Sequence, residues 1–335
     1  MLKKQKRSHW RRRRNTLLFF LLIILGVMAS PFIWRLERLS AAQNVYDFQT
    51  VKEELLWWQA YGGVFNKLNT ITDASLWLEL NTGKENLEAY FDPNNEKHQF
   101  WLFLHKTQKG ELAEAQNVLS RLDNILLGQL GQAMLAVAKG DAEESRRILA
   151  ETQHDWDTMP KRAQVLRHLT LAKAAMISGD QALTQIELEA AQQLEPNNPA
   201  CLLMAFDKAI GERRWAKARE LSRIIATQTW HPKNTLFETK RAVLAIHENN
   251  VQELSDSLHA LEDLPLGDAC IDYVNGVYAL SQGQLQEGKA LLERALNSGL
   301  EGSLKADAQK SLDQVTARQN AERILRSIVA DNQEP

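Results

Sequence analysis

Six short turns recur down this chain at nearly constant spacing. Their residues are Gly110, Gly140, Gly179, Gly211, Asn249/Asn250 and Gly283, so the intervals are 30, 39, 32, 38 and 34, and the mean is (283 − 110)/5, or 34.6. Helical patterns flank each turn. Glycine permits the left-handed backbone that ends a helix, and Asn is the next most tolerant residue there. A single helix hairpin cannot bury its apolar face alone, so hairpins repeated at one period stack into a continuous core. The period therefore predicts an all-α solenoid, a fold that offers surfaces for binding.

The N-terminus carries a different signal. Residues 1–14 hold eight basic side chains and no acid: Lys3, Lys4, Lys6, Arg7 and Arg11, Arg12, Arg13 and Arg14. An apolar run of 18 residues follows, Leu17 to Trp34. As a helix it is roughly 27 Å long, near the lower limit for spanning a bilayer. Trp10 and Trp34 bracket it, as interface-seeking aromatics do. Residues 1–14 are thus expected to be a basic cytoplasmic tail and 15–35 a transmembrane anchor. The excess of cations before the run, against Arg35 and Arg38 after it, predicts a cytoplasmic N-terminus and an extracytoplasmic remainder, with Arg11 to Arg14 as topology determinants. The competing reading is a cleaved signal peptide, with Val27-Met28-Ala29 as the cleavage box. The run continues through Phe32, Ile33 and Trp34, which favours an uncleaved anchor. Both readings carry the solenoid across the membrane.

The chain holds 40 basic and 42 acidic residues, so removing the first 14 leaves 32 against 42, a net −10 for residues 15–335. An acidic domain is a poor ligand for nucleic acid or anionic headgroups. The two cysteines, Cys201 and Cys270, fall in non-adjacent repeats. They are expected to be buried free thiols, too far apart to bridge.

Residues 36–95 are less regular and read as a juxtamembrane helical region or an N-terminal cap. Leu36 to Asn44 continues the anchor as a short stalk, and Val51 to Leu68 reads as a helix with clustered aromatics, Trp57, Trp58, Tyr61 and Phe65. Asp92-Pro93-Asn94-Asn95 is a stop and turn. Residues 96–300 hold about six repeats. Residues 301–335 read as a capping helix and tail, since Ser303 to Val329 carries an apolar stripe with polar residues elsewhere, and solenoids need such a cover at their last repeat.

Within the repeats, Ala115 lies five residues past its turn and Leu119 four further on. Ala172, Gly179, Ala191 and Pro196 form a small, turn, small and terminal-proline series, and Gly276, Gly283, Leu292 and Ala295 a similar one. In these residues the chain resembles the tetratricopeptide family, over roughly three fifths of its length. The resemblance implies a right-handed superhelical array of helix hairpins; the apolar run adds one N-terminal transmembrane helix before it. Small residues let the helices of a hairpin approach to ~8–10 Å, and larger ones fill the groove between units. The fourth unit departs, with an extra residue around Arg213-Arg214-Trp215, and no unit carries the whole family pattern.

Motifs for chemistry are absent. There is no phosphate-binding glycine loop, no His-Glu-x-x-His, no Cys-x-x-Cys and no Gly-x-Ser-x-Gly. His98 and His105 are seven apart without a third ligand at metal spacing, and Glu53-Glu54 and Glu143-Glu144 read as solvated helix faces. The chain is expected not to be an enzyme and to hold no cofactor or metal.

The resemblance implies that the first helix of each unit lines a concave groove. With each turn at position fifteen of its unit, the candidate groove residues are Leu169, Lys173 and Met176, then Cys201, Ala205 and Lys208, then Tyr273 and Val277. This mix of apolar and basic groups suits an extended peptide or helix with some negative charge. The expected role is a membrane-anchored protein–protein interaction scaffold of the cell envelope, partnered by envelope or membrane proteins. The alternative is a chaperone-like holdase for newly exported chains near the secretion channel.

Overall fold

The structure, a computed structural model, describes residues 30–60, 68–82, 91–151, 156–228, 235–264, 266–300 and 302–331. Every regular element among them is helical. The expected tail and nearly all of the expected anchor lie outside the described residues. Among those described, no helix is long and apolar enough to cross a membrane.

The chain forms two compact units, one ending at Asn198 and the other beginning at Pro199. The first contains α1 (residues 30–44), α2 (Phe48–Ala60), α3 (Asn69–Thr82), α4 (Glu96–Gln108), α5 (Leu112–Leu119), α6 (Ile125–Ala138), α7 (Ala142–Ala150), α8 (Lys161–Ile177) and α9 (Gln181–Leu194). A 3₁₀ turn, Trp156–Thr158, lies between α7 and α8, with Trp156 buried beneath the Arg167 guanidinium. The second contains α10 (Pro199–Gly211), α11 (Trp215–Thr227), α12 (Thr235–His247), α13 (Val251–Glu262), α14 (Gly267–Ser281), α15 (Leu285–Asn297) and α16 (Gly302–Asp331). Helices pair as hairpins from α4/α5 to α14/α15. Within each unit the first helices of successive hairpins also pack together: α4 on α6 on α8, and α10 on α12 on α14. The described repeats are therefore tetratricopeptide-like.

One turn device makes all six hairpins. A residue in the left-handed region follows the first helix, and the next residue sends its N–H five residues back, at 2.8–3.0 Å in every case. Glu111 reaches the Lys106 carbonyl in this way, Asp141 that of Ala136, and Gln284 that of Ala279. The donor then begins the next helix. Asp141, Asp180 and Asn250 each turn their side chains onto the N–H three residues on, at 3.0–3.2 Å. One residue thus satisfies an orphan carbonyl of one helix and an orphan N–H of the next, which sets a two-residue hairpin.

The fourth turn corrects the expected assignment. Gly211 is the last residue of α10, and the left-handed residue is Arg213, with φ +58°. With Arg213 in the series, the last three intervals become 34, 36 and 34. The fourth unit therefore carries no extra residue; its turn lies two residues past its nearest glycine.

Close approach explains the small residues. Five places past each turn stand Ala115, Ser145, Thr184, Ala218 and Gly288, all buried, with Leu254 the exception in the fifth unit. A Cβ on Gly288 would lie 2.5 Å from Leu280 Cδ2, and one on Gly276 would lie 3.0 Å from Leu292 Cγ. Twelve places past the later turns, Ala191, Ile225, Leu261 and Ala295 are fully buried.

The region after the expected anchor departs from a simple stalk. α1 ends at a turn of the same kind, with Tyr46 left-handed at φ +59° and Asp47 reaching the Ala42 carbonyl at 2.9 Å. Asp47 then caps α2 by accepting from the Thr50 N–H at 3.0 Å. Residues 30–60 are a hairpin built by the repeat's own device, with a tyrosine where glycine is expected.

Candidate interaction surfaces

The candidate groove residues are divided by their surroundings. Leu169 and Cys201 are buried core residues, and Tyr273 is only 4% exposed. Lys173, on α8, is exposed, while Met176, Ala205 and Val277 are half-buried. Lys208 is half-buried and paired with Glu212 on its own helix. Three of the eight therefore present no side chain to a partner, because each is buried in the packed interior of its own unit.

In the second unit the inner polar residues stand beside the expected ones. Asp207 on α10, Lys240 on α12 and Tyr273 on α14 recur at steps of 33. The Lys240 ammonium is 3.1 Å from Asp207 Oδ1 and also pairs with Asp307 Oδ2 of α16. Ser303 Oγ, in the first turn of α16, donates to Asp207 Oδ1 at 3.3 Å. Lys240 is 1% exposed. The inner face between α10 and α12 is thus occupied, at this level, by the start of the chain's own last helix. Leu304, Ala308 and Leu312 of that helix join the apolar core around Tyr273 and Leu292.

The charges behave accordingly. Burial alone would pull the Lys240 ammonium down, but Asp207 and Asp307 outweigh it and hold it above its ordinary value. Burial pushes the Tyr273 phenol up, and the same two carboxylates push it further. Burial likewise raises the Cys270 thiol, so it is an inert apolar group like the buried Cys201. The signal for this cluster was legible as Asp, Lys and Tyr at a 33-residue step. Asp207 lies six residues before the true fourth turn, Arg213, and so falls outside a count from Gly211; Lys240 is left out because the fifth turn could be Asn249 or Asn250; Tyr273 is among the expected residues.

The first unit has a polar knot of another kind. Tyr46 Oη donates to Glu195 Oε2 at 2.7 Å, and Asn198 Nδ2 donates to both, at 2.7 Å to the tyrosine and 2.8 Å to the carboxylate. The Arg162 guanidinium lies over the Tyr46 and Trp77 rings, at 5.2 and 5.5 Å. The α1–α2 turn is thereby tied to the start of α8 and the end of α9. Nothing in the local sequence marks Tyr46, since its partners lie about 150 residues away.

Other singled-out residues are structural. His98 accepts from the Asp92 N–H at 3.1 Å through Nδ1, and its Nε2 lies 2.9 Å from Asp73 Oδ1, so it joins α3 to the start of α4. His105 is buried nearby in the same helix. Among the described residues no three metal-ligating side chains come together. Glu143 is exposed as expected, but Glu54 is not on a solvated face. It is 1% exposed and holds Arg35 on one oxygen and Arg38 on the other, each at 3.0 Å. Both guanidiniums come from α1, so the hairpin's own pairing pulls the carboxylate inward.

No family model matches the chain, and no curated protein matches it. Among solved structures it is similar to the crystal structure of a tetratricopeptide repeat protein from Parabacteroides merdae ATCC 43184 at 2.39 Å resolution, with 13% identity over 84% of this chain and 99% of that one and a TM-score of 0.41. That correspondence is loose, and the repeat assignment rests on the hairpin geometry of this chain itself.

Proposed function

We propose that this chain is a membrane-anchored, tetratricopeptide-like scaffold of the cell envelope, with its N-terminus in the cytoplasm and its repeats on the far side. The observation that carries the binding role is the run of six hairpins made by one turn device, a framework that presents helix faces rather than a catalytic pocket. The anchor and its orientation are supported by the apolar run Leu17 to Trp34 and the eight cations before it. Anchoring confines the repeats to two dimensions and raises their effective concentration near membrane partners. The partner-facing residues are the accessible part of the candidate groove, Lys173 and Met176 in one unit and Ala205, Lys208 and Val277 in the other.

A photoreactive residue at Lys173 tests this in cells. Because Tyr273 is buried, the second probe belongs at Tyr278, which is 43% exposed on the same helix. One discrete adduct, identified by mass spectrometry as an envelope protein, is the expected result. A smear of exported chains would make the protein a holdase instead, and no adduct at either position would sink the groove. Orientation is read separately: protease added to intact spheroplasts should digest the chain beyond Arg35, and full protection overturns the topology.

A further inference from the structure

The hairpin of α1 and α2 returns the chain to the place where the expected anchor ends. The apolar run closes at Trp34, inside α1. α2 runs back along α1, and the Phe32 ring lies 5.8 Å from both the Trp57 and Trp58 rings. The C-terminal end of α2 is therefore level with the last turn of the run. Large apolar side chains are open at this same end: Ile33 and Trp34 are each 54% exposed and Leu56 is 56% exposed. The neighbouring cations are held internally. Arg35 lies over the Trp57 ring at 4.1 Å, Arg38 lies over Trp34 at 5.6 Å, and both pair with buried Glu54.

We propose that this end of the hairpin is a lipid-contacting collar, seated in the headgroup layer with Trp34, Leu56 and Trp57 as its contacts. It rests on the proposed anchor, because the run sets the level at which α1 leaves the bilayer. Three physical features fit a lipid surface. Indole rings favour the interface, where one edge is apolar and the other wet. Arginine side chains cover apolar surface, here the Trp34 and Trp57 rings. The Glu54 carboxylate offsets one of the two positive charges of Arg35 and Arg38, so the pair costs less beside the bilayer. The acidic repeats beyond then stand off an anionic surface.

The test uses the full chain, purified and reconstituted in phosphatidylcholine–phosphatidylglycerol vesicles. Leu56→Cys, or separately Trp34→Cys, is labelled with an NBD fluorophore; Glu143→Cys, on an exposed repeat position, is the control, and the native chain corrects for labelling at Cys201 and Cys270. Quenching is compared between lipids carrying a spin label in the headgroup and at carbon 12 of the acyl chain. The expected result is emission roughly halved by the headgroup label at positions 34 and 56, less quenching by the deeper label, and none at 143, as for a face lying about 5–10 Å into the interface. Vesicles that float with the protein while position 56 stays as unquenched as 143 would overturn the collar and leave the anchor standing. Quenching at 34 alone would overturn it also, because the Leu56 face would then stand clear of the lipid. Protein that does not float would overturn the anchor and the collar together.

Discussion

The two units fasten their end segments by opposite chemistry. In the first, the α1–α2 turn is held by a carboxylate, Glu195, that receives a hydroxyl and an amide from Tyr46 and Asn198. In the second, the start of α16 is held by a cation, Lys240, set between Asp207 and Asp307. In solenoids each repeat ordinarily contacts only its neighbours, so folding is a sum of local terms. Here each unit adds one buried polar tie across a long stretch of sequence, 149 residues from Tyr46 to Glu195 and 67 from Lys240 to Asp307. A polar tie has a defined partner list, which a purely apolar contact lacks. It fixes where an end segment docks, while apolar burial supplies the drive to dock at all.

The largest effect is expected at Lys240. Lys240→Ala leaves Asp207 and Asp307 facing one another without their cation. The cost should be about 3 kcal/mol, the low side for a broken buried pair because Asp307 is about one-third exposed. Urea denaturation followed by circular dichroism measures the loss, and hydrogen exchange should show the first turns of α16 opening before α4 to α9. Equal loosening of both units would erase the contrast between the two ties. The alkaline limb gives an independent reading. Lys240, Tyr273 and Cys270 all have raised values in the folded unit, so the folded chain keeps protons that the unfolded chain releases around their ordinary values of 10.5, 10.0 and 9.0. Stability of this unit is full below about pH 9 and falls as pH rises through 9–11 and beyond. Lys240→Ala should flatten the upper part of that fall, and an unchanged profile would show that Lys240 carries none of it.

This contrast also marks what the sequence discloses. Gly110, Gly140, Gly179 and Gly283 announce their turns because φ between +75° and +85° is costly for other residues. Gly276 and Ala295 announce close helix approach for the same steric reason. Arg213 and Tyr46 adopt the same backbone without announcing it. There the two hydrogen bonds of the turn, and for Tyr46 a ring and hydroxyl buried elsewhere, outweigh the local strain. Turn chemistry and small residues are local properties and could be read. The two ties and the Glu54–arginine cluster depend on residues brought together from distant positions, so only fragments of them, such as the 33-residue step through Lys240, lay open in the sequence.

A smaller effect is expected at the first unit's tie. Tyr46→Phe keeps the ring under the Arg162 guanidinium but removes the hydroxyl between Glu195 and Asn198. Loss of a hydrogen bond to a buried charged acceptor should cost about 1.5–2 kcal/mol, less than at Lys240 because Asn198 still serves the carboxylate. The second unit's exchange should not change. A cost as large as that of Lys240→Ala would mean that the hydroxyl, and not charge, is the stronger of the two devices.

The smallest effect should separate the turn from the tie. Arg213 and Tyr46 both hold left-handed backbone, at φ +58° and +59°, but the Arg213 side chain is exposed whereas Tyr46 is buried in a knot. Arg213→Gly should relieve ~1 kcal/mol of left-handed strain and give back ~0.4–1 kcal/mol through the more flexible unfolded chain, so the net change lies between nothing and a slight stabilisation. Tyr46→Gly relieves the same strain but discards the ring and both hydrogen bonds, and should destabilise. Paired urea midpoints at unchanged slope decide the matter. If both glycine variants move the midpoint the same way, backbone strain alone governs these turns. If they move apart, Tyr46 tolerates its backbone because of what its side chain holds, and the first hairpin is the repeat's turn adapted to carry a tie.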